Sequence, residues 1–225
     1  MTPHLKTRLG AVSLVVIAVA ATVFLALLED VLAGEIMWLD TAAYDLFVVR
    51  LRADWLTPVM EGFTILAMPT VLLVVLVAIA AFAPGRRPAA CAAANLAGVF
   101  VLNQAIKFIV QRPRPEGFRL VEQGGYSFPS GHAMVAMAFY GLLIWMIWHY
   151  DRDRIERWVC CAILGFVIIM TGVSRIYLGV HYASDVLAGL AMSLIWLALF
   201  THLVAPRLLR EPEAPACDDV GRPAA

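Results

Sequence analysis

The chain is short of charge. Asp, Glu, Lys and Arg together make up 15% of its 225 residues, against about 25% in an ordinary soluble domain. With 62% hydrophobic residues and a mean hydropathy of +0.81, that deficit argues against a conventional solvated surface and points to a membrane protein. The formal net charge is zero. No basic face with interleaved aromatics occurs, so a nucleic-acid partner is not expected. Cysteine is scarce: Cys91, Cys160, Cys161 and Cys217 are the only four, and none has metal-ligand spacing. Cys160 and Cys161 adjoin inside an apolar run, where cysteine behaves as a small hydrophobe. All four read as structural or incidental. No internal repeat is present.

What the chain has instead is long apolar runs. A membrane-crossing helix needs about 20 mostly apolar residues, and six segments qualify: 9–28, 58–83, 89–110, 131–149, 158–178 and 185–205. The first is long for a secretory signal, and no small-x-small cleavage site follows it, so it reads as an uncleaved span. The expectation is an all-α integral membrane protein, six transmembrane helices in a bundle occupying residues 1–210. Residues 211–225 contain three prolines and few large apolar side chains, and read as a disordered tail.

Between spans one and two, residues 38–54 (WLDTAAYDLFVVRLRAD) are too short and too charged to cross. Trp38, Ala42, Leu46 and Val49 recur at helical spacing, which suits an amphipathic helix lying at the interface, near where a lipid would enter. A loop packed over the helix ends is the plainer alternative.

Six spans put both termini on one side. That side would hold nine cations, namely Lys6, Arg8, Arg86, Arg87, Arg152, Arg154, Arg157, Arg207 and Arg210. The other would hold seven: Arg50, Arg52, Lys107, Arg112, Arg114, Arg119 and Arg175. The excess assigns the first side to the cytoplasm, by a thin margin.

Polar residues at span ends are functional candidates, because a mid-span charge costs roughly 2.5–3.5 kcal/mol on insertion scales. They gather in three clusters. "KFIVQRPRP" runs from Lys107 to Pro115, with Arg112 and Arg114 inside it and prolines that stop the helix. Pro129-Ser130-Gly131-His132 stands at the start of the fourth run. Serine there is a good N-cap, the helix N-terminus offers free N–H groups to an anion, and glycine lets a ligand approach the backbone. "SRIYLGVHYASD" runs from Ser174 to Asp185; on a helix, His181 and Asp185 would share a face, and a carboxylate can hold one imidazole nitrogen while freeing the other. Each cluster alone has an ordinary reading: snorkelling cations, a capped helix start, an interfacial polar pair. Parity joins them, because the loops after spans three and five lie on the same membrane face. Three cations, a helix N-terminus, two histidines and a carboxylate suit phosphate chemistry. Cations and N–H groups stabilise charge on the equatorial oxygens, one histidine attacks phosphorus, and the other handles the leaving group's proton.

These residues resemble the type-2 phosphatidic acid phosphatase family of integral membrane lipid phosphatases. Its three signatures are Lys-x6-Arg-Pro, Pro-Ser-Gly-His and Ser-Arg-x5-His-x3-Asp. Here they fall at Lys107 with Arg114-Pro115, at 129–132, and at Ser174-Arg175 with His181 and Asp185, with every spacing matched. The resemblance implies that Lys107, Arg114, Arg175, Ser130 and the Gly131 N–H bind phosphate. It implies His181 as the nucleophile, Asp185 as its orienting partner and His132 as the proton donor to the leaving alkoxide. It implies no metal and no cofactor. The signature spacing selects Arg114 and leaves Arg112 a secondary candidate.

Soluble relatives, including vanadium haloperoxidases and acid phosphatases, share the signatures, but six apolar runs favour a substrate that lives in the bilayer. Membrane relatives act on phosphatidic acid, phosphatidylglycerophosphate, undecaprenyl pyrophosphate or lipid A, and the motifs do not choose among them. The expected setting is a bacterial inner membrane, with the site facing the periplasm or exterior. Undecaprenyl pyrophosphate and the glycerophospholipid phosphates are the leading pair; a lipid phosphotransferase or a lipid A phosphatase using the same site is the alternative, and an inert transporter or lipid binder the remote one.

Overall fold

In the computed structural model, which describes residues 10–35, 37–83, 85–117, 119–150 and 154–209, every regular element is helical. The order is α1 (Ala11–Ala33), α2 (Trp38–Tyr44), a π-helical turn (Asp45–Arg50), α3 (Thr57–Ile65), α4 (Pro69–Phe82) and α5 (Arg87–Val110). It continues with α6 (Gly131–Tyr150), α7 (Arg154–Tyr177), α8 (Ala183–Leu203) and α9 (Ala205–Leu209). Among the described residues, five helices are long and apolar enough to cross a membrane, and α3 with α4 makes a sixth span if the bent pair is counted as one.

Helix α6 is the axis of the bundle. It packs along α5, α7 and α8, and its small residues Ala133, Ala136 and Ala138 are fully buried beside Phe139 and Leu142. A helix that is apolar all round belongs in an interior. Helix α1 is the opposite case: it leans on α8, buries only Ala20 and Phe24, and turns Val12, Val15, Val19 and Leu25 outward, as a lipid-facing helix does. The few buried polar side chains in mid-bundle are satisfied. Asn95 donates to Ala138 O at 2.7 Å and accepts from Trp196 Nε1 at 2.8 Å.

The structure departs from the sequence reading in two elements. The run 58–83 is not one straight span, because α3 and α4 are bent by 52°. The residue before a proline is driven out of the helical region; Met68, preceding Pro69, is extended at φ −75°, ψ 145°. Helix α7 begins at Arg154, four residues before the apolar run expected at 158–178. Lys6, Arg8, Arg152, Arg210, Cys217 and the 211–225 tail lie outside the described residues.

Residues 38–54 are helical only as α2 and the π turn. Trp38, Ala42, Leu46 and Val49 all face outward, as an interfacial helix requires. The opposite face, with Leu39, Ala43 and Phe47, packs against α7 and α8. Beyond the turn, Ala53 N donates to Tyr177 Oη at 3.1 Å, which ties the segment to the end of α7.

Candidate active site

Three chain segments converge at one end of the bundle: the C-terminal end of α5 with the loop 111–130, the start of α6, and the 178–182 turn between α7 and α8. Between them lies a cavity of about 550 Å³. Lys107, Arg114, Gly131, His132 and His181 line it, together with Asn103, Gln123 and Tyr126. Ser130, Arg175 and Asp185 stand immediately behind that lining and are buried. All eight residues drawn from the three sequence clusters are thus brought to one place.

The turn before α6 is built by close approach. Gly189 on α8 has room for no side chain, since a Cβ there would lie 2.9 Å from Ser130 O. Ser130 N donates to Asp185 O at 3.0 Å, and Asn103 donates to Pro129 O at 3.2 Å. The expected capping hydrogen bond from Ser130 is not made: its Oγ is buried and has no partner. A buried hydroxyl without a partner is costly, and this one stands at a helix N-terminus that attracts anions.

His181 is not on a helix, as the four-residue spacing had suggested; it precedes α8 in the turn. The pairing with Asp185 arises differently. Asp185, in the first turn of α8, reaches back to accept from Tyr182 N at 2.9 Å and lies 3.4 Å from His181 Nδ1. Ser127 Oγ donates to the same carboxylate oxygen and lies 3.3 Å from His181 Nδ1. These acceptors place the ring proton on Nδ1. Nε2 then carries the lone pair and accepts from Arg114 Nη1 at 3.1 Å. Burial pushes the His181 imidazole down to about 4, with Asp185 opposing and Arg114 and Arg175 reinforcing that shift. It is neutral at physiological pH.

One short segment engages all three cationic phosphate-binding candidates. Lys107 Nζ donates to Tyr126 O. Arg114 donates to Gly124 O, Gly125 O and Tyr126 O at 3.0–3.3 Å. Arg175, 1% exposed, donates to Gln123 Oε1, while its other terminal nitrogen donates to Thr64 Oγ1 at 2.8 Å. Sequence reasoning missed Gln123, Ser127 and Asn103; they lie outside the signatures, and a polar residue in a loop carries no marker of its target. It also ranked Arg112 second, whereas Arg112 Nη1 is 2.6 Å from Asp185 Oδ1. Among the described residues, no three His, Cys, Asp or Glu side chains group as a metal site would need.

The family model of the PAP2 superfamily matches residues 88–208. A phosphatidylglycerophosphatase B of Bacillus subtilis is 34% identical over 152 residues, 65% of this chain and 74% of that protein. A lipid A 1-phosphatase of Rhizobium johnstonii is 32% identical over 48% of this chain and 43% of its own length. The crystal structure of a transmembrane PAP2-type phosphatidylglycerolphosphate phosphatase from Bacillus subtilis superposes with a TM-score of 0.70 at 28% identity, over 80% of this chain and 93% of that one. Aquifex aeolicus LpxE shares the fold, with a TM-score of 0.61 at 23% identity over 73% of this chain and 95% of that one. Three complete signatures converging on one cavity, a helical membrane bundle and these matches place the chain in the PAP2 superfamily of membrane phosphatases.

Proposed function

We propose that the protein hydrolyses the terminal phosphate of a membrane lipid, a monoester or a pyrophosphate, through a phosphohistidine on His181. The observation that carries the reading is the division of labour on His181: Nδ1 faces Asp185 while Nε2 is turned to the Arg114 guanidinium at the cavity wall. A phosphoryl group held by Arg114, Lys107 and Arg175 would lie against that lone pair. The Gly131 N–H and the unpartnered Ser130 Oγ supply further donors at the α6 N-terminus.

The chemistry balances without an outside reagent. His181 Nε2 attacks phosphorus as the P–O bond to the lipid breaks, and His132, an imidazolium while it faces the phosphate, gives its proton to the departing alkoxide or phosphate and becomes neutral. His132 then takes a proton from water, the hydroxide forms a new P–O bond, and the P–N bond breaks to restore neutral His181. Asp185 stabilises His181 while its ring carries positive charge. The cations and N–H groups hold the charge spread over the phosphoryl oxygens.

The cavity wall supports a lipid substrate. Phe100, Gln104 and Phe108 follow one another at four-residue spacing on α5, and both phenylalanines are largely exposed on the bundle's outer surface. With Ala67 and Pro69 at the α3–α4 break opposite, they form an opening through which acyl chains extend into the bilayer. Residues 38–54 do not line the cavity; they lie outside its walls, at the interface beside α7 and α8.

A phosphatidylglycerophosphate-type monoester leads the substrate class, since the relative of that name covers most of this chain. A lipid A 1-phosphate is the second reading, supported by the relatives so named. Phosphate release by the purified protein from phosphatidylglycerophosphate, phosphatidic acid, undecaprenyl pyrophosphate, lipid A and glycerol phosphate, each with a chelator present, tests the proposal. The lipids should turn over and glycerol phosphate should lag. Transfer to another lipid without phosphate release would make the protein a phosphotransferase, and inactivity on every lipid would refute a lipid phosphatase.

A further inference from the structure

Asp185 has two carboxylate oxygens and only one of them serves His181. Oδ2 takes His181, Ser127 and Tyr182 N. Oδ1 is 2.6 Å from Arg112 Nη1. That guanidinium also donates to Ser184 Oγ at 2.8 Å and, through Nη2, to Asp40 Oδ2 at 2.9 Å. It lies over the Tyr182 ring at 4.0 Å from the centroid. Asp40, on α2, is 7% exposed. It accepts from Ser184 N at 2.8 Å and from Ser184 Oγ at 2.7 Å. A carboxylate from a helix distant in sequence therefore caps the first turn of α8, the turn that carries Asp185.

We propose that Asp40 and Arg112 are positioning residues for the reaction, locking the rotation and charge of Asp185 so that it holds His181 in its attacking orientation. The proposal rests on His181 being the nucleophile. Arg112 sits on the far side of Asp185 from the catalytic cavity. It does not line that cavity, and instead borders a separate hollow of about 220 Å³ with Asp40 and Tyr182. It therefore does not reach the phosphate. Its work is on Asp185, a fully buried carboxylate that needs compensation for lost solvation. A guanidinium fork clamped between two carboxylates fixes a plane as well as a charge. The titratable and charged groups facing His181 are Asp185 from α8, Arg114 from the 111–130 loop, Arg175 from α7 and His132 from α6. Asp40 and Arg112 form the layer behind the first of these.

Kinetics on the full-length protein in detergent, with phosphatidic acid micelles as substrate, test the assignment. Misplacement of a reacting group costs about 100-fold, so Asp40→Asn and Arg112→Gln should each lower kcat by about 10- to 100-fold. KM should stay within about threefold, because neither residue binds the phosphate. Asp40→Glu, which keeps the charge, should recover part of the loss. If Asp40 acts by holding Arg112, the double variant should be no worse than Arg112→Gln alone.

Removing Arg112 alone strands two buried carboxylates, Asp40 and Asp185, whereas removing Asp40 with it strands only Asp185, which keeps Ser127, Tyr182 N and His181 as partners. Should a single variant fail to fold, the double variant decides: a lowered kcat at unchanged KM supports the assignment. Wild-type kcat in the variants would overturn it. So would a raised KM with kcat intact, or losses in the double variant that multiply. His181→Ala runs beside them; phosphate release by that variant would remove the His181 reading itself, whatever the Asp40 and Arg112 variants do.

Discussion

His181 has its two ring nitrogens committed to opposite charges, a carboxylate on Nδ1 and a guanidinium on Nε2. Burial dominates that balance and holds the imidazole neutral down to about 4, below its ordinary value of about 6.5. The folded protein therefore resists a proton that the unfolded chain accepts. Stability from this group is fully present above about 6.5 and is lost as pH falls toward 4. The melting temperature of the wild type, relative to His181→Ala, should drop as pH is lowered from 7 to 4.5. A gap that widens on acidification would mean that His181 is charged in the folded protein. The signatures made the histidines, Lys107, Arg114 and Arg175 legible as a set, because each sits where an apolar run ends. They could not reveal which oxygen of Asp185 serves which neighbour, since Asp40 lies 72 residues before Arg112 in sequence. Proximity of that kind is created by folding alone.

At the scale of elements, the 123–126 segment occupies the cations that the phosphate must take. Gln123 Oε1 sits on Arg175, so a phosphoryl group bound as proposed would displace it. A hydrogen bond is worth a net 0.5–1.5 kcal/mol or thereabouts, so Gln123→Ala should tighten inhibition by inorganic phosphate by roughly 2- to 10-fold. Weaker inhibition would instead make Gln123 a ligand to the phosphate. Helix positions were legible from apolar runs to within a few residues at most ends, and Pro69 was in plain view, but run length alone hid the 52° bend it causes. The His181–Asp185 pair was found for the wrong local reason. The spacing of four looked helical, yet the contact is made across the start of α8, where the N-terminal carboxylate folds back on the turn.

For the whole molecule, the parity of the spans is what gathers three distant signatures on one face, and it was readable before any coordinates. The side of the membrane is a prediction. In a cysteine-free background, Glu122→Cys beside the cavity should react with a membrane-impermeant maleimide on intact cells. Arg86→Cys, at the opposite end of the bundle, should react only after lysis; the reverse pattern would put the site in the cytoplasm. The proposed hydrolysis rests on one histidine in one pocket of a membrane bundle. Its most direct test is phosphate release from a lipid phosphate, with a chelator present, by wild type and His181→Ala at matched folding. A His181 nucleophile predicts steady release by the wild type and a loss of at least about 1000-fold in the variant, the scale of removing a nucleophile. Unimpaired release by His181→Ala would contradict it.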